Sequence, residues 1–105
     1  KFTSTSGAQI MGMGVYTTAV TTADITVAAA NANNMVHVAT GLLTGNRQWI
    51  LPLTAGKVIV FHNNTTGAFT LTVIGATGAG YAVTQTKKCM LYCDGTNWYQ
   101  LTAEL

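Results

Sequence analysis

Few side chains in this 105-residue chain could do chemistry. The only acids are Asp24, Asp94 and Glu104. Hydrolysis of a glycoside needs two carboxylates facing each other about 5–9.5 Å apart. Asp94 stands before Gly95 as a turn residue would, and Glu104 lies in a tail expected to fray. The only serines, Ser4 and Ser6, sit near the start of the chain. A thiol nucleophile drawn from Cys89 or Cys93, with His37 or His62 as base, would need a polar, activating setting, and the apolar run Cys89-Met90-Leu91-Tyr92-Cys93 does not supply one. Two histidines and two cysteines could in principle make a tetrahedral zinc site, but their spacing matches no ligand pattern. In an extended strand Cys89 and Cys93 lie about 13 Å apart, out of reach of one ion or of a disulfide. Both cysteines are expected as reduced, buried thiols and both histidines as core or interface residues. Gly75, Gly78 and Gly80 do not follow the dinucleotide fingerprint and lead into a strand-like segment, so no phosphate cradle is expected. The expectation is a protein that is not an enzyme and has no catalytic, cofactor or metal site.

Composition narrows the class further. Hydrophobic residues make up 49% of the chain and charged residues 8%, against about 25% charged in an average soluble domain. No apolar run approaches the roughly 20 residues of a membrane-spanning helix. The net charge of +2 comes from scattered cations, with only Lys87 and Lys88 adjacent, so no basic stripe follows a phosphate backbone and neither nucleic acid nor membrane is an expected partner. No signal-peptide pattern is visible, so standard secretion is not expected. So little charge suits a protein that presses much of its surface against copies of itself or a larger assembly.

The elements that would position these residues are short strands. Residues 1–20 show neither helical period nor alternation and read as an extended arm, with a loose terminus or a linker as the alternatives. Gly7, Gly12 and Gly14 let it bend, and Ile10, Met11, Met13, Val15 and Tyr16 give it an adaptable apolar strip that could reach a partner over up to ~65 Å. Residues 21–105 read as one β-domain. Ile25 and Val27 alternate with polar or small neighbours, and strands follow over Met35 to Thr40 and over Arg47 to Leu51, which ends at Pro52. Lys57 to His62 is continuously apolar and β-branched, and Phe69 to Val73 alternates. Asn63-Asn64-Thr65-Thr66-Gly67 between them is turn chemistry, so the pair is expected as a hairpin. A second hairpin joins Cys89–Cys93 to Asn97–Leu101 through Asp94-Gly95-Thr96, with Gly95 placed to take φ > 0. The fold class expected is all-β, a small antiparallel sandwich or barrel-like domain with an extended N-terminal arm. Trp49, Tyr81, Trp98 and Tyr99 are the best anchors for a contact, and of Trp98 and Tyr99 one should face the core and the other outward.

Four strings carry a resemblance across roughly two thirds of the chain: Thr40-Gly41-Leu42-Leu43-Thr44-Gly45-Asn46-Arg47, Ile50-Leu51-Pro52, Asn63 through Val73, and Leu91-Tyr92-Cys93-Asp94-Gly95-Thr96-Asn97-Trp98. In this order they resemble a β-structured module that recurs in virion proteins of tailed bacteriophages, in tail fibres, spikes and head-surface proteins. The chain departs from it at Thr84-Gln85-Thr86-Lys87, where the family often has Pro-Gln-Gly-Lys, and at His37 and His62, where apolar or small residues are usual. The resemblance implies a structural or adhesive protein on the virion surface, assembled as a homotrimer and made in the host bacterial cytoplasm. A free-standing chain of this length fits a capsid decoration (cement) protein bound to the major capsid protein or other virion proteins. The alternative is a tail-fibre or spike module for host adhesion, with a host surface glycan as partner. The partner-contact residues expected are Ile10, Met11, Met13, Tyr16, Trp49, Tyr81, Trp98 and Tyr99.

Overall fold

A computed structural model of the chain describes residues 14–105. Ile10, Met11 and Met13, and with them most of the expected arm, lie outside the described residues. Among the described residues nine strands and one short helix run in the order β1 (Val15–Ala19), β2 (Ile25–Thr26), α1 (Ala29–Ala32), β3 (Val36–Leu42), β4 (Arg47–Ile50), β5 (Val58–Thr66), β6 (Leu71–Ile74), β7 (Tyr81–Ala82), β8 (Lys88–Cys93) and β9 (Trp98–Gln100). The fold is all-β in character.

The first six strands do not form hairpins. They alternate between two sheets, β1, β3 and β5 in one and β2, β4 and β6 in the other, and each strand lies parallel to the one two places before it. The chain thus winds as a coil. Its register is regular: Ile25 pairs with Trp49, Arg47 with Leu71 and Val36 with Val60, each partner lying 24 residues further on. Bonds recur at the same step. Asp24 Oδ1 accepts from the Gln48 N–H at 2.9 Å, and one turn later Asn46 Oδ1 accepts from the Thr70 N–H at 3.0 Å. Val27 N–H reaches Ile50 O, and Leu51 N–H reaches Ile74 O. The coil is closed by antiparallel pairing of β7 on β6, of β8 on β5 and of β9 on β8, giving sheets of order β1-β3-β5-β8-β9 and β2-β4-β6-β7.

Three expectations are corrected by this topology. The sheets are mixed rather than antiparallel. The hairpin expected between Lys57–His62 and Phe69–Val73 is absent, because β5 runs on through Thr66 and the chain then crosses to the other sheet. Asn63, which read as a turn residue, is fully buried in β5: its Nδ2 donates to Val83 O at 2.7 Å, and its Oδ1 accepts from the Thr65 N–H and hydroxyl. A buried amide so satisfied costs little and ties β5 to the segment beyond β7. The crossover turns at Gly67, whose φ of +100° and contact with Leu43 O leave no room for a Cβ. Val15–Ala19, which the sequence placed within the arm, is a strand paired along its length with β3. The Cys89–Leu101 hairpin does form: Cys93 pairs with Trp98, Gly95 sits at φ +99°, and Asp94 Oδ1 accepts from the Thr96 and Asn97 N–H groups. Those two bonds, Asn97 first, hold the Asp94 carboxyl below its ordinary pKa. The tail is not frayed. Leu105 exchanges both backbone bonds with Lys88, and Glu104 Oε2 accepts from the Tyr81 hydroxyl at 2.9 Å and the Thr84 N–H at 3.0 Å.

The core lies between the sheets. Tyr16, His37, Phe61 and Cys89 stand in register across the five-stranded sheet and point inward. They face Trp49, which is flanked in its own sheet by Ile25 and Val73. Trp49 packs on Phe61 at 5.3 Å, on Tyr16 at 5.7 Å and on His37 at 6.0 Å between ring centroids. Its indole N–H donates to His37 Nδ1 at 3.3 Å. An indole nitrogen can only donate, so Nδ1 carries no proton and Nε2–H donates to Asn34 O at 3.0 Å. Protonating Nδ1 would break the bond to Trp49. Burial lowers the His37 pKa below the ordinary 6.5 and the charge of Lys57 lowers it further, while the Asn34 carbonyl only partly opposes them.

This sets a pH dependence. With the folded-state pKa depressed, the unfolded chain takes up a proton on His37 that the folded chain refuses, so this contribution to stability is complete above pH 6.5 and is lost as pH falls from there through the folded value. Urea midpoints measured from pH 8 to pH 5 should be flat at first and fall below pH 6.5. His37→Gln, which keeps an acceptor but does not titrate, should lower stability by about 1–3 kcal/mol at pH 8 and abolish the fall.

Candidate functional site

Alternation sends one side of every strand in the five-stranded sheet inward and the other out. In β3 the inward set is His37 and Ala39, in β5 Ile59, Phe61, Asn63 and Thr65, and in β8 Cys89, Leu91 and Cys93, all buried. The outward set is also apolar over much of the sheet. Register places Val15 beside Val36, Val36 beside Val60 and Val60 beside Met90, while Leu101 N–H donates to Met90 O at 2.8 Å. Val15, Val36, Val60, Met90 and Leu101 therefore form one apolar row across the full width of the sheet. A second row beside it is Val58, Tyr92 and Tyr99, with the two tyrosine rings 5.4 Å apart. On the other side Val38 leads to His62 and Lys88, where the face becomes polar.

The members of this face differ in exposure: Val15 is 61% exposed, Leu101 50% and Tyr99 39%, while Val36, Val58, Val60, Met90 and Tyr92 are half-buried. One row of five and one of three, with strands about 4.8 Å and rows about 7 Å apart, make an apolar patch on the order of 270 Å², close to the size of the largest patch on a typical monomeric protein. The outer side of the four-stranded sheet is more mixed, with Thr26, Gln48 and Thr72 interleaved with Ile50, Ile74 and Ala82.

The structure separates the residues the sequence proposed as contacts. Trp49 and Trp98 are buried core residues, 0% and 1% exposed, and are withdrawn as contacts; each is an inward position of its strand. Tyr16 is half-buried against His37 and Trp49, and Tyr81 is half-buried with its hydroxyl on Glu104. Tyr99 alone of the described set stands on the apolar face, and the division of Trp98 inward and Tyr99 outward is as expected. Val36, Val58, Val60, Met90, Tyr92 and Leu101 were missed. One signal could have found them: Val58-Ile59-Val60-Phe61 is apolar in both phases of the alternation, and a strand apolar on both faces has both faces to cover.

The titratable residues are dispersed. Among the described residues no three of His, Cys, Asp or Glu gather as a metal site would need. Cys89 and Cys93 are buried free thiols; burial raises the Cys89 pKa, with Glu104 adding to it, and Cys93 Sγ accepts from the Gly95 N–H. Burial pushes the Glu104 carboxyl up, but the Thr84 and Tyr81 hydrogen bonds and the charge of Lys87 outweigh it and leave its pKa below the ordinary value. Comparison with protein-family models, with curated proteins and with solved structures finds no match for this chain.

Neighbouring residues on opposite sides of β5 test the assignment of faces. Ile59→Ala should destabilise the isolated chain by about 2–5 kcal/mol, because it opens a cavity in the core. Val60→Thr, which keeps the shape and removes apolar surface on the outer side, should cost under about 1 kcal/mol. Equal costs in urea denaturation would place Val60 inside.

Proposed function

We propose that this protein is a structural module of the surface of a tailed-bacteriophage particle, a capsid decoration (cement) protein that works by seating its apolar sheet face against other subunits. The observation that carries the reading is the row Val15, Val36, Val60, Met90 and Leu101, an uncharged face on a chain with 8% charged residues. Buried against a partner, such a face gains about 25 cal/mol per Å² of apolar surface and has no charge to desolvate along that row. The strings from Thr40 to Trp98 that resemble virion modules support the same class.

The assembly proposed is a homotrimer. A three-fold ring needs two different patches on each subunit, since the contact is not self-complementary. The sheet face is one. The crossover at Gly67 offers another, where Leu42 is 58% and Phe69 42% exposed. In the particle the trimer bridges neighbouring copies of the major capsid protein, and no step of bond chemistry is involved.

Light scattering on the purified chain at micromolar concentration should give about three times the 11.0 kDa monomer mass. Val60→Asp, at the centre of the row, should give a folded monomer with an unchanged far-ultraviolet circular dichroism spectrum. A monomeric wild-type chain at these concentrations counts against the trimer. Immunogold microscopy of particles from the phage or prophage carrying the reading frame tests the location: label over the head supports decoration, label confined to the tail replaces it with the fibre or spike reading, and unlabelled particles overturn both.

A further inference from the structure

A cleft of about 330 Å³ lies between the crossover after β5 and the end of β7 with the segment beyond it. Gly67 to Thr70 form one wall and Ala82 to Gln85 the other, and no residue of the lining is charged. Both walls are tied down. Thr70 N–H donates to Asn46 Oδ1, Val83 N–H to Leu71 O and Thr84 N–H to Glu104 Oε2.

A buried relay fixes what the cleft presents. Asn63 Nδ2 donates to Val83 O, so Asn63 Oδ1 is the accepting end of that amide, and it takes the Thr65 hydroxyl proton. The Thr65 oxygen is left to accept, and it does so from Gln85 Nε2 at 3.3 Å; the same nitrogen donates to Phe69 O at 3.4 Å. Both protons of the Gln85 amide are thus spent within the chain. Among the described residues no donor reaches its Oε1, an acceptor whose orientation is set before any ligand arrives.

The rest of the lining narrows the class of occupant. Phe69 is 42% exposed, Ala82 and Val83 add apolar surface, and Thr70 brings a hydroxyl. A matching molecule offers hydroxyl donors to Gln85, C–H groups to the face of the Phe69 ring, and no charge, since the cleft holds no counter-charge for one. Benzene, with about six heavy atoms, fills a cavity of about 150 Å³, so this cleft takes about twelve or thirteen, the size of a single hexopyranose.

We infer that this cleft binds one neutral hexopyranose residue of a glycan, its C–H face on Phe69 and its hydroxyls on Gln85 Oε1 and Thr70. The site goes beyond the assembly reading and meets it at one side chain, because Phe69 also belongs to the crossover patch. The crossover's contact with a neighbouring subunit then falls to Leu42, and Phe69 is kept for the ligand.

The test is a titration of the full ¹⁵N-labelled chain with the methyl pyranosides of glucose, galactose, mannose and N-acetylglucosamine, the methyl group standing for the linkage to a longer chain. Concentrations run to about 50 mM, because a ligand of this size is held at about 1–10 mM. At least one should move the Gln85 side-chain amide and the Thr70 and Thr84 backbone signals to saturation while the Trp49 indole stays in place. Phe69→Ala, at an exposed position that leaves the fold intact, and Gln85→Met should each weaken that binding about tenfold or more. Cyclohexanol, with the ring but a single hydroxyl, should bind weaker by a similar factor. No movement with any of the four, cyclohexanol binding as well as the glycosides, or movement with N-acetylglycine methylamide alone, which marks a peptide groove, would overturn the proposal. The same titration on Val60→Asp separates the cleft from the assembly. Binding to both chains supports the site, even where the wild-type chain proves monomeric and the trimer falls. Binding to Val60→Asp alone shows Phe69 covered by a neighbour and overturns the site in the assembled protein.

Discussion

Trp49 reaches across the interior from the four-stranded sheet and donates its indole N–H to His37 in the five-stranded sheet. This bond fixes how the two layers sit. It sets the tautomer of His37, and through Nε2 it ties the start of β3 to the Asn34 carbonyl. The rings of Tyr16 and Phe61 close around the pair, so a polar contact is made in a place from which water is excluded. The outward row of valines depends on it indirectly: with His37 held inward, Val36 and Val38 are held out, and the register carries the same phase to β1, β5 and β8.

Pairing at a distance of 24 residues explains which parts of the fold were legible in the sequence. The Cys89–Leu101 hairpin could be read because all of its determinants are local: alternation on both sides, an Asp-Gly turn, and an aspartate whose side chain caps the next two amides. The parallel coil leaves no such mark. A strand that returns beside its predecessor after a full circuit needs no tight turn between them, so the polar string Asn63–Thr66 took on the look of one. Only its distant partners, Val83 and Lys87, show Asn63 to be an interior strand residue. Glu104 was misread for the same reason, its partners Tyr81 and Thr84 lying some twenty residues away.

The contact surface was legible in part. Low charge gave the expectation of a contact surface, but the choice of aromatic anchors followed residue type, and type does not tell an inward tryptophan from an outward one. Trp49 and Trp98 serve the interior, Tyr99 the outside. Val58 and Val60 lay hidden in plain view within Val58–Phe61, where both phases of the strand are apolar.

The regular step of the coil also bears on how such a protein could change length. Each circuit contributes one strand to each sheet and rests only on the circuit before and after it, which is the architecture of a repeat protein. Copying one 24-residue circuit in frame, between Ile25 and Trp49, would add about 4.8 Å to the stack while leaving the β8–β9 closure and the leading edge of β1 chemically as they are. A gene for this fold can thus lengthen its product by duplication without inventing a new end, and the spacing between whatever its two ends touch becomes a quantity that evolution can adjust in fixed increments.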